Sequence, residues 1–300
     1  MPAATAATGA QVVSAADPRA SAAGIELLRA GGSAADAAVA TMLALNVVEP
    51  QSSGIGGGGF LVYYDASTGE TVSIDGRERA PAAAGPGRFL RADGKPMPFR
   101  EAVAGGYSVG VPGALALAAK AHQHWGKRPW AELFQPAIRL ARDGFEVTPR
   151  LNRSITGSEW LLSKSPAARA VFLDPDGKPW PVGHVLKQPQ LAATLAKLAE
   201  DGPDAFYRGA VGAEISRSVA SAFALPVALT AADLSSYEAK ERPSLCRPYR
   251  RFVVCSMGPP SSGGVAMLQI LKQLERFDLA GLGADNLLSQ HLFAESQRLA

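Results

Sequence analysis

Cysteine is nearly absent from this chain, with Cys246 and Cys255 the only two in 300 residues. Two are too few for a disulfide framework, so both are expected as buried or strand cysteines. Long apolar runs are missing as well. The most apolar helical stretch, Ala34 to Val48, is shorter than the roughly 18 to 20 residues a bilayer requires and carries Asp36 within it, which excludes a membrane span. Nor is there a block of one charge sign: 30 Lys and Arg stand against 27 acidic residues, spread along the sequence to a net +3. No basic stripe could follow a phosphate backbone, so nucleic acid is not an expected partner. The first twenty residues, MPAATAATGAQVVSAADPRA, lack both the basic and the unbroken apolar regions of a signal peptide, and the expected address is the cytoplasm. What is present, 47% hydrophobic and 19% charged residues, suits a globular protein of one or two domains with a large core.

Helical and strand-like segments alternate without repeats. Asp17-Pro18 reads as an N-cap followed by proline at the first helical position, and Gly31-Gly32 stops that helix. Ser33 with Asp36 resembles a capping pair for a second helix, Ala34 to Asn46, whose alanines imply close neighbours and burial under a sheet. A run from Glu49 through Gly54-Ile55-Gly56-Gly57-Gly58-Gly59 leads into a strand, Phe60 to Tyr64. A turn at Asp65 to Gly69 returns a partner, Glu70 to Gly76. Apolar spacing predicts helices over Ala114 to Trp125, Trp130 to Asp143, Leu191 to Ala199 and Ala210 to Phe223, with Gly126, Gly144 and Gly202 as stops and Pro-rich connectors between. A strand is expected at Tyr249 to Cys255, then helices at Val265 to Phe277 and Asp285 to Ala300, the last ending as though cut mid-element.

Several motifs carry possible chemistry. Gly54, Gly56 and Gly59 match G-x-G-x-x-G, but dinucleotide binding needs a strand before the loop and a helix after it, and here the order is reversed. Glycines that let backbones pass closely are the structural reading. Gly106-Tyr107-Ser108-Val109-Gly110 matches the nucleophile elbow of a serine hydrolase, with Asp143 and His184 downstream in the required order. Against it, Phe99 to Gly105 is no buried strand, and Pro112 stands where the following helix should be running. His122 and His124, without accompanying carboxylates or thiols, are expected at the surface and not on a metal. Pro259 to Gly264 could cradle an anion at a helix N-terminus, but a sterically tight approach to the helix is the favoured reading.

The run from Gly31 to Pro81, GGSAADAAVATMLALNVVEPQSSGIGGGGFLVYYDASTGETVSIDGRERAP, resembles the signature region of gamma-glutamyltransferases, also called glutathione hydrolases. The likeness extends back to Val12-Val13-Ser14-Ala15 and forward through Val109-Gly110-Val111-Pro112-Gly113, Pro136 to Phe145 and Val254 to Gly264. It covers nearly the whole chain and absorbs the G-x-S-x-G match into a Gly-Val-Pro-Gly turn.

The resemblance implies an α+β, N-terminal-nucleophile hydrolase fold, an αββα sandwich that is incomplete here because it lacks the small-subunit strands. Residues 1–300 are then one incomplete large-subunit domain: helices, Gly-rich loop and hairpin over 18–76, a mainly helical region over 113–225, and strand and helices over 240–300. The implied chemistry transfers or hydrolyses a gamma-glutamyl group through an N-terminal threonine created by self-cleavage, without cofactor or metal. Its partners would be gamma-glutamyl compounds such as glutathione, acceptor amino acids, peptides or water, and a small subunit from the same precursor. The family's nucleophile lies in a Thr-Thr-His stretch, yet this sequence holds no Thr-Thr and no Thr-His dipeptide. No catalytic residue is therefore expected in this chain, and alone it should be inactive. One residue carries over: Arg77, in Ile74-Asp75-Gly76-Arg77-Glu78, matches the arginine that holds the substrate α-carboxylate, a role suited to the forked guanidinium. Without the family, an exposed strand-end arginine paired with Asp75 or Glu78 would explain it. Alternative readings are a cephalosporin or glutaryl acylase-like amidase of the same fold, a non-enzymatic binding or assembly half, and a serine hydrolase using Ser108. The family is often exported, which sets a periplasmic or extracellular address against the cytoplasmic one.

Overall fold

A computed structural model of the chain describes residues 11–222 and 229–300. The first ten residues of the leader reading and Phe223 lie outside the described residues, and the helix expected to reach Phe223 already ends at Ala220, with Ser221 as its C-cap. In chain order the elements are α1 (Pro18–Arg29), α2 (Ala34–Val48), β1 (Gly59–Asp65), β2 (Glu70–Gly76), α3 (Phe99–Val103), a 3-10 turn at Gly106–Ser108, α4 (Ala114–Trp125), α5 (Trp130–Asp143), β3 (Phe145–Glu146), α6 (Pro149–Leu162), α7 (Pro166–Phe172), β4 (Val185–Leu186), α8 (Pro189–Asp201), α9 (Asp204–Tyr207), α10 (Ala210–Ala220) and α11 (Ala231–Ser235). β5 (Lys240–Pro243), β6 (Leu245–Tyr249), β7 (Phe252–Ser256), α12 (Gly263–Leu274), α13 (Leu279–Leu282) and α14 (Leu287–Leu299) follow. The chain divides into two compact units: residues up to Gly58 with Arg77–Glu238, and Gly59–Gly76 with Ala239–Ala300.

The first unit is built around α2. Ser33 Oγ accepts from Asp36 N while Asp36 Oδ2 accepts from Ser33 N at 2.8 Å, closing the capping box that the sequence suggests. The same Asp36 oxygen also accepts from Lys127 N at 2.9 Å and Arg128 N at 3.2 Å, so the one acid of this alanine-rich helix ties its start to the loop before α5. Within this unit α1, α4 and α5 pack against α2. Its alanines permit this, because they let any neighbour approach closely. At Gly24 of α1 an added Cβ would stand 2.4 Å from Thr41 Oγ1 of α2, so the glycine lets the two helices cross without displacing Thr41. α8 lies along α5, where Trp130 Nε1 donates to Leu198 O at 2.9 Å. Leu43, Val47, Leu115, Leu133, Phe134, Leu195 and Leu198 form the fully buried centre.

In the second unit β1, β2 and β5 form an antiparallel sheet in that order, with Phe60 opposite Asp75 and Asp75 opposite Lys240. The strand expected over Tyr249 to Cys255 is divided. Arg250 takes φ 52° in a turn, and β6 and β7 flank it as a two-stranded hairpin, because Pro248-Tyr249 ends one strand and Phe252 starts the next. Cys246 and Cys255 are strand residues, as expected, but they stand opposite one another at a Cα separation of 4.1 Å and are joined as a disulfide. Counting cysteines could not show this, because pairing depends on the hairpin register. α6 and α7 replace stretches read as connectors: Thr148 and Ser165 cap them, each followed by proline at the first turn, the signal that also starts α1.

Candidate functional site

The glycine loop begins where α2 ends. The Glu49 carbonyl accepts from Ser52 N and Ser53 N, and Ser53 Oγ donates to Asn46 Oδ1 at 2.6 Å. The Glu49 side chain is buried and takes Arg150 at 3.1 Å and Gln51 Nε2 at 2.7 Å. The loop is thus pinned at its base. Farther on, Gly54 and Gly56 have nothing within 4 Å of an added Cβ, which corrects the expectation that these glycines serve close backbone passage. Gly57 is the one held tightly: its carbonyl accepts from Gly113 N at 2.8 Å and Ala114 N at 3.0 Å, the first amides of α4.

Arg77 follows β2 directly and is exposed. Its carbonyl accepts from Tyr237 Oη at 2.7 Å. Next to it, an added Cβ on Gly57 would lie 3.5 Å from Glu78 Oε1, so residue 78 leans on the loop. Arg79 pairs with Val111 through both backbone bonds, Arg79 N to Val111 O at 3.2 Å and Val111 N to Arg79 O at 2.7 Å. Gly110 permits this contact, because a Cβ there would meet Glu78 Cβ at 3.0 Å. The Gly-Val-Pro-Gly turn is therefore a clamp on the segment that carries Arg77. Arg79 reaches Ser236 Oγ at 2.7 Å, and Asp233 accepts from Ala82 N at 2.8 Å and from Thr230 Oγ1 at 2.7 Å. Burial alone would raise the Asp233 pKa, but the amides of Ala82 and Thr230 and the Thr230 hydroxyl hold the carboxyl below its ordinary value.

The residues of the serine hydrolase reading are engaged elsewhere. Ser108 is exposed, with Oγ donating to Val103 O at 3.1 Å, and the segment before it is the short helix α3. Asp143 is paired with Arg142, whose hydrogen bond keeps that carboxyl below its usual range. His184 lies flat on Trp180, with ring centroids 3.8 Å apart. His122 Nε2 is 2.8 Å from Arg128 O, and His124 packs on Trp125. Among the described residues no group of three or more His, Cys, Asp and Glu could hold a metal ion. At Gly264 an added Cβ would fall 2.1 Å from Met257 O, as a sterically tight start to α12 requires. No helix among the described residues is long and apolar enough to cross a membrane.

Sequence reasoning did not single out Tyr237, Tyr207 or Arg79. The one available signal was Thr230 with Asp233, a capping box that starts α11 and so places Tyr237 just beyond a helix end.

Comparison with known proteins gives these contacts a setting. The gamma-glutamyltranspeptidase family matches over residues 20–300. The glutathione hydrolase proenzyme of Bacillus subtilis (strain 168) is 40% identical over 289 residues, which are 96% of this chain and 48% of that protein. An acylase ACY 1 proenzyme of Pseudomonas sp. (strain SE83) is also 40% identical, over 94% of this chain and 51% of its own length. The chain thus spans about half the length of these relatives. The crystal structure of Helicobacter pylori gamma-glutamyltranspeptidase superposes with a TM-score of 0.90 at 34% identity, covering 97% of this chain and 82% of that one. The chain accordingly belongs to the gamma-glutamyltranspeptidase family, of which it is the N-terminal, large-subunit region, with the α+β fold of the N-terminal-nucleophile hydrolases.

Proposed function

We propose that this chain is the large-subunit part of an enzyme that transfers or hydrolyses gamma-glutamyl groups, with Arg77 holding the substrate α-carboxylate. The observation that carries the reading is the position of Arg77: exposed directly after β2, on a segment clamped by Val111 and leaning on a pinned loop whose Gly54 and Gly56 leave space. A guanidinium on a fixed backbone can meet a carboxylate with two parallel hydrogen bonds. The chemistry would come from a threonine on the small subunit of the same precursor. Its free α-amine, with an ordinary pKa of about 7.7 to 8.0, takes the hydroxyl proton. The hydroxyl oxygen then bonds to the gamma-carbonyl carbon, the amine of a substrate such as glutathione leaves with a proton, and water or an acceptor amino acid or peptide cleaves the glutamyl ester.

The test uses the full-length processed protein with a gamma-glutamyl anilide. Arg77→Ala should lower kcat/KM by about 30-fold to several thousand-fold, the result of leaving a desolvated carboxylate without a partner worth roughly 2 to 5 kcal/mol. The loss should fall mainly on KM, because the carboxylate does not change during acyl transfer, and autocleavage should proceed. A 4-aminobutyryl anilide, which lacks that carboxylate, should hardly distinguish the variant from wild type. Equal kinetics on the gamma-glutamyl anilide would overturn the role of Arg77. A second reading, an acylase-like amidase, rests on the acylase relative of equal identity. Faster turnover of a glutaryl anilide, which keeps the carboxylate and lacks the α-amine, would select it. The 300-residue chain alone should release no glutamate.

The Cys246–Cys255 bond also bears on the address. Disulfides persist in oxidising compartments, so it favours a periplasmic or extracellular location over the cytoplasmic one. Thiol titration of protein taken from its native host under denaturing, alkylating conditions should find no free cysteine, and two free thiols would restore the cytoplasmic reading.

A further inference from the structure

We infer that Tyr237 is a positioning residue for Arg77, setting the direction in which the guanidinium leaves the backbone. The inference rests on the proposed role of Arg77 in holding a carboxylate. Tyr237 stands three residues before β5 and is 7% exposed, and its hydroxyl donates to the Arg77 carbonyl at 2.7 Å. That bond fixes the peptide plane between residues 77 and 78. Two residues on, the paired bonds of Arg79 with Val111 fix the chain again, so Arg77 projects from a short segment held at both ends.

The Tyr237 ring is itself held. It stacks on Tyr207 with centroids 5.8 Å apart and planes 9° from parallel, and the Arg79 guanidinium lies 6.0 Å from its centroid. Tyr207 is a rigid support because its hydroxyl donates to Pro112 O at 3.0 Å and accepts from Ala116 N at 3.1 Å. Burial pushes the Tyr207 pKa up, so it keeps the proton it donates. A path of direct contacts thus runs from the start of α4 through two stacked rings to the Arg77 carbonyl. A tyrosine whose task was to fill the core would not need its hydroxyl at that carbonyl, and phenylalanine would serve as well.

Tyr237→Phe keeps the ring and removes the hydroxyl that donates to the Arg77 carbonyl. In the full-length processed protein it should raise KM for a gamma-glutamyl anilide by about 3- to 10-fold, the scale of one hydrogen bond, with kcat and autocleavage unchanged. The 4-aminobutyryl anilide should show no such rise. In an Arg77→Ala background the same substitution should add nothing, because there is no longer a guanidinium to aim. A uniform loss on both substrates, an additive effect in the Arg77→Ala background, or unchanged KM would each overturn the inference. Should Arg77→Ala alone match wild type, the carboxylate role fails first and is recognised separately.

Discussion

The two units of this chain solve the problem of burial differently. The first buries whole helices: α2 carries eleven buried residues, and Leu43, Phe134, Leu195 and Leu198 are fully inaccessible. In the second, Ile74, Ala239, Met257 and Leu274 are the buried apolar side chains among the described residues, while Val253 is 71% exposed and Leu287 80%. Val62, Tyr64, Phe252, Val265, Phe277, Leu288, Phe293 and Leu299 are exposed there too. Surface of that kind is what interaction faces present. The first unit is therefore held by its own core, whereas the second leans on local devices: a three-stranded sheet, a disulfide-linked hairpin and the Asp75–Arg242 ion pair at 2.7 Å.

Reducing the Cys246–Cys255 bond should separate the two regions most sharply. An isolated two-stranded hairpin is marginal in water, and a cross-link spanning nine positions removes chain entropy worth about 2.5 kcal/mol from the unfolded ensemble. Cys246→Ser with Cys255→Ser, or reduction, should expose the amides of β6 and β7 to hydrogen exchange while α2, α5 and α8 keep their protection. Equal loss of protection in both units would show that they fold as one, and the contrast would collapse.

Overpacking the first unit is the converse experiment. Gly24→Ala puts a methyl 2.4 Å from Thr41 Oγ1, and rotating Thr41 away sacrifices its bond to Ala37 O, so a cost of about 2 kcal/mol is expected. Gly54→Ala meets nothing within 4 Å and should leave the midpoint of thermal unfolding unchanged. If the two alanines cost the same, the α1–α2 crossing is not the tight contact described.

Much of this arrangement was legible in the sequence because it rests on local rules. The capping of α1 and α2, the limits of α4 and α5 and the glycine stops follow from neighbours a few residues apart. The alanines of α2 announced close packing but not its partner. Long-range pairings had no such signal: the Cys246–Cys255 bond depends on register, and Tyr237 reaches Arg77 across 160 positions. Arg77 itself was found through family resemblance, since nothing local distinguishes it from an ordinary strand-end arginine.

The smallest effect concerns the polar knot at the edge of the first unit, where Asp233 ties the segment after Arg79 to α11. Its carboxylate accepts from Ala82 N, Thr230 N and Thr230 Oγ1, so Asp233→Asn places an amide donor against donors on one side and should cost about 1 kcal/mol at neutral pH. The pH dependence fixes the mechanism. Because the folded pKa lies below the ordinary value of about 3.9, the contribution of Asp233 is fully present above that value and is lost as pH falls through the folded one. The asparagine does not titrate. Urea unfolding of both proteins from pH 7 downward should therefore show a constant gap to about pH 5, narrowing as the pH drops below about 4. A gap that stays constant through the acid range would mean that Asp233 acts by shape alone. The edge would then be held as the core is, by packing and not by charge.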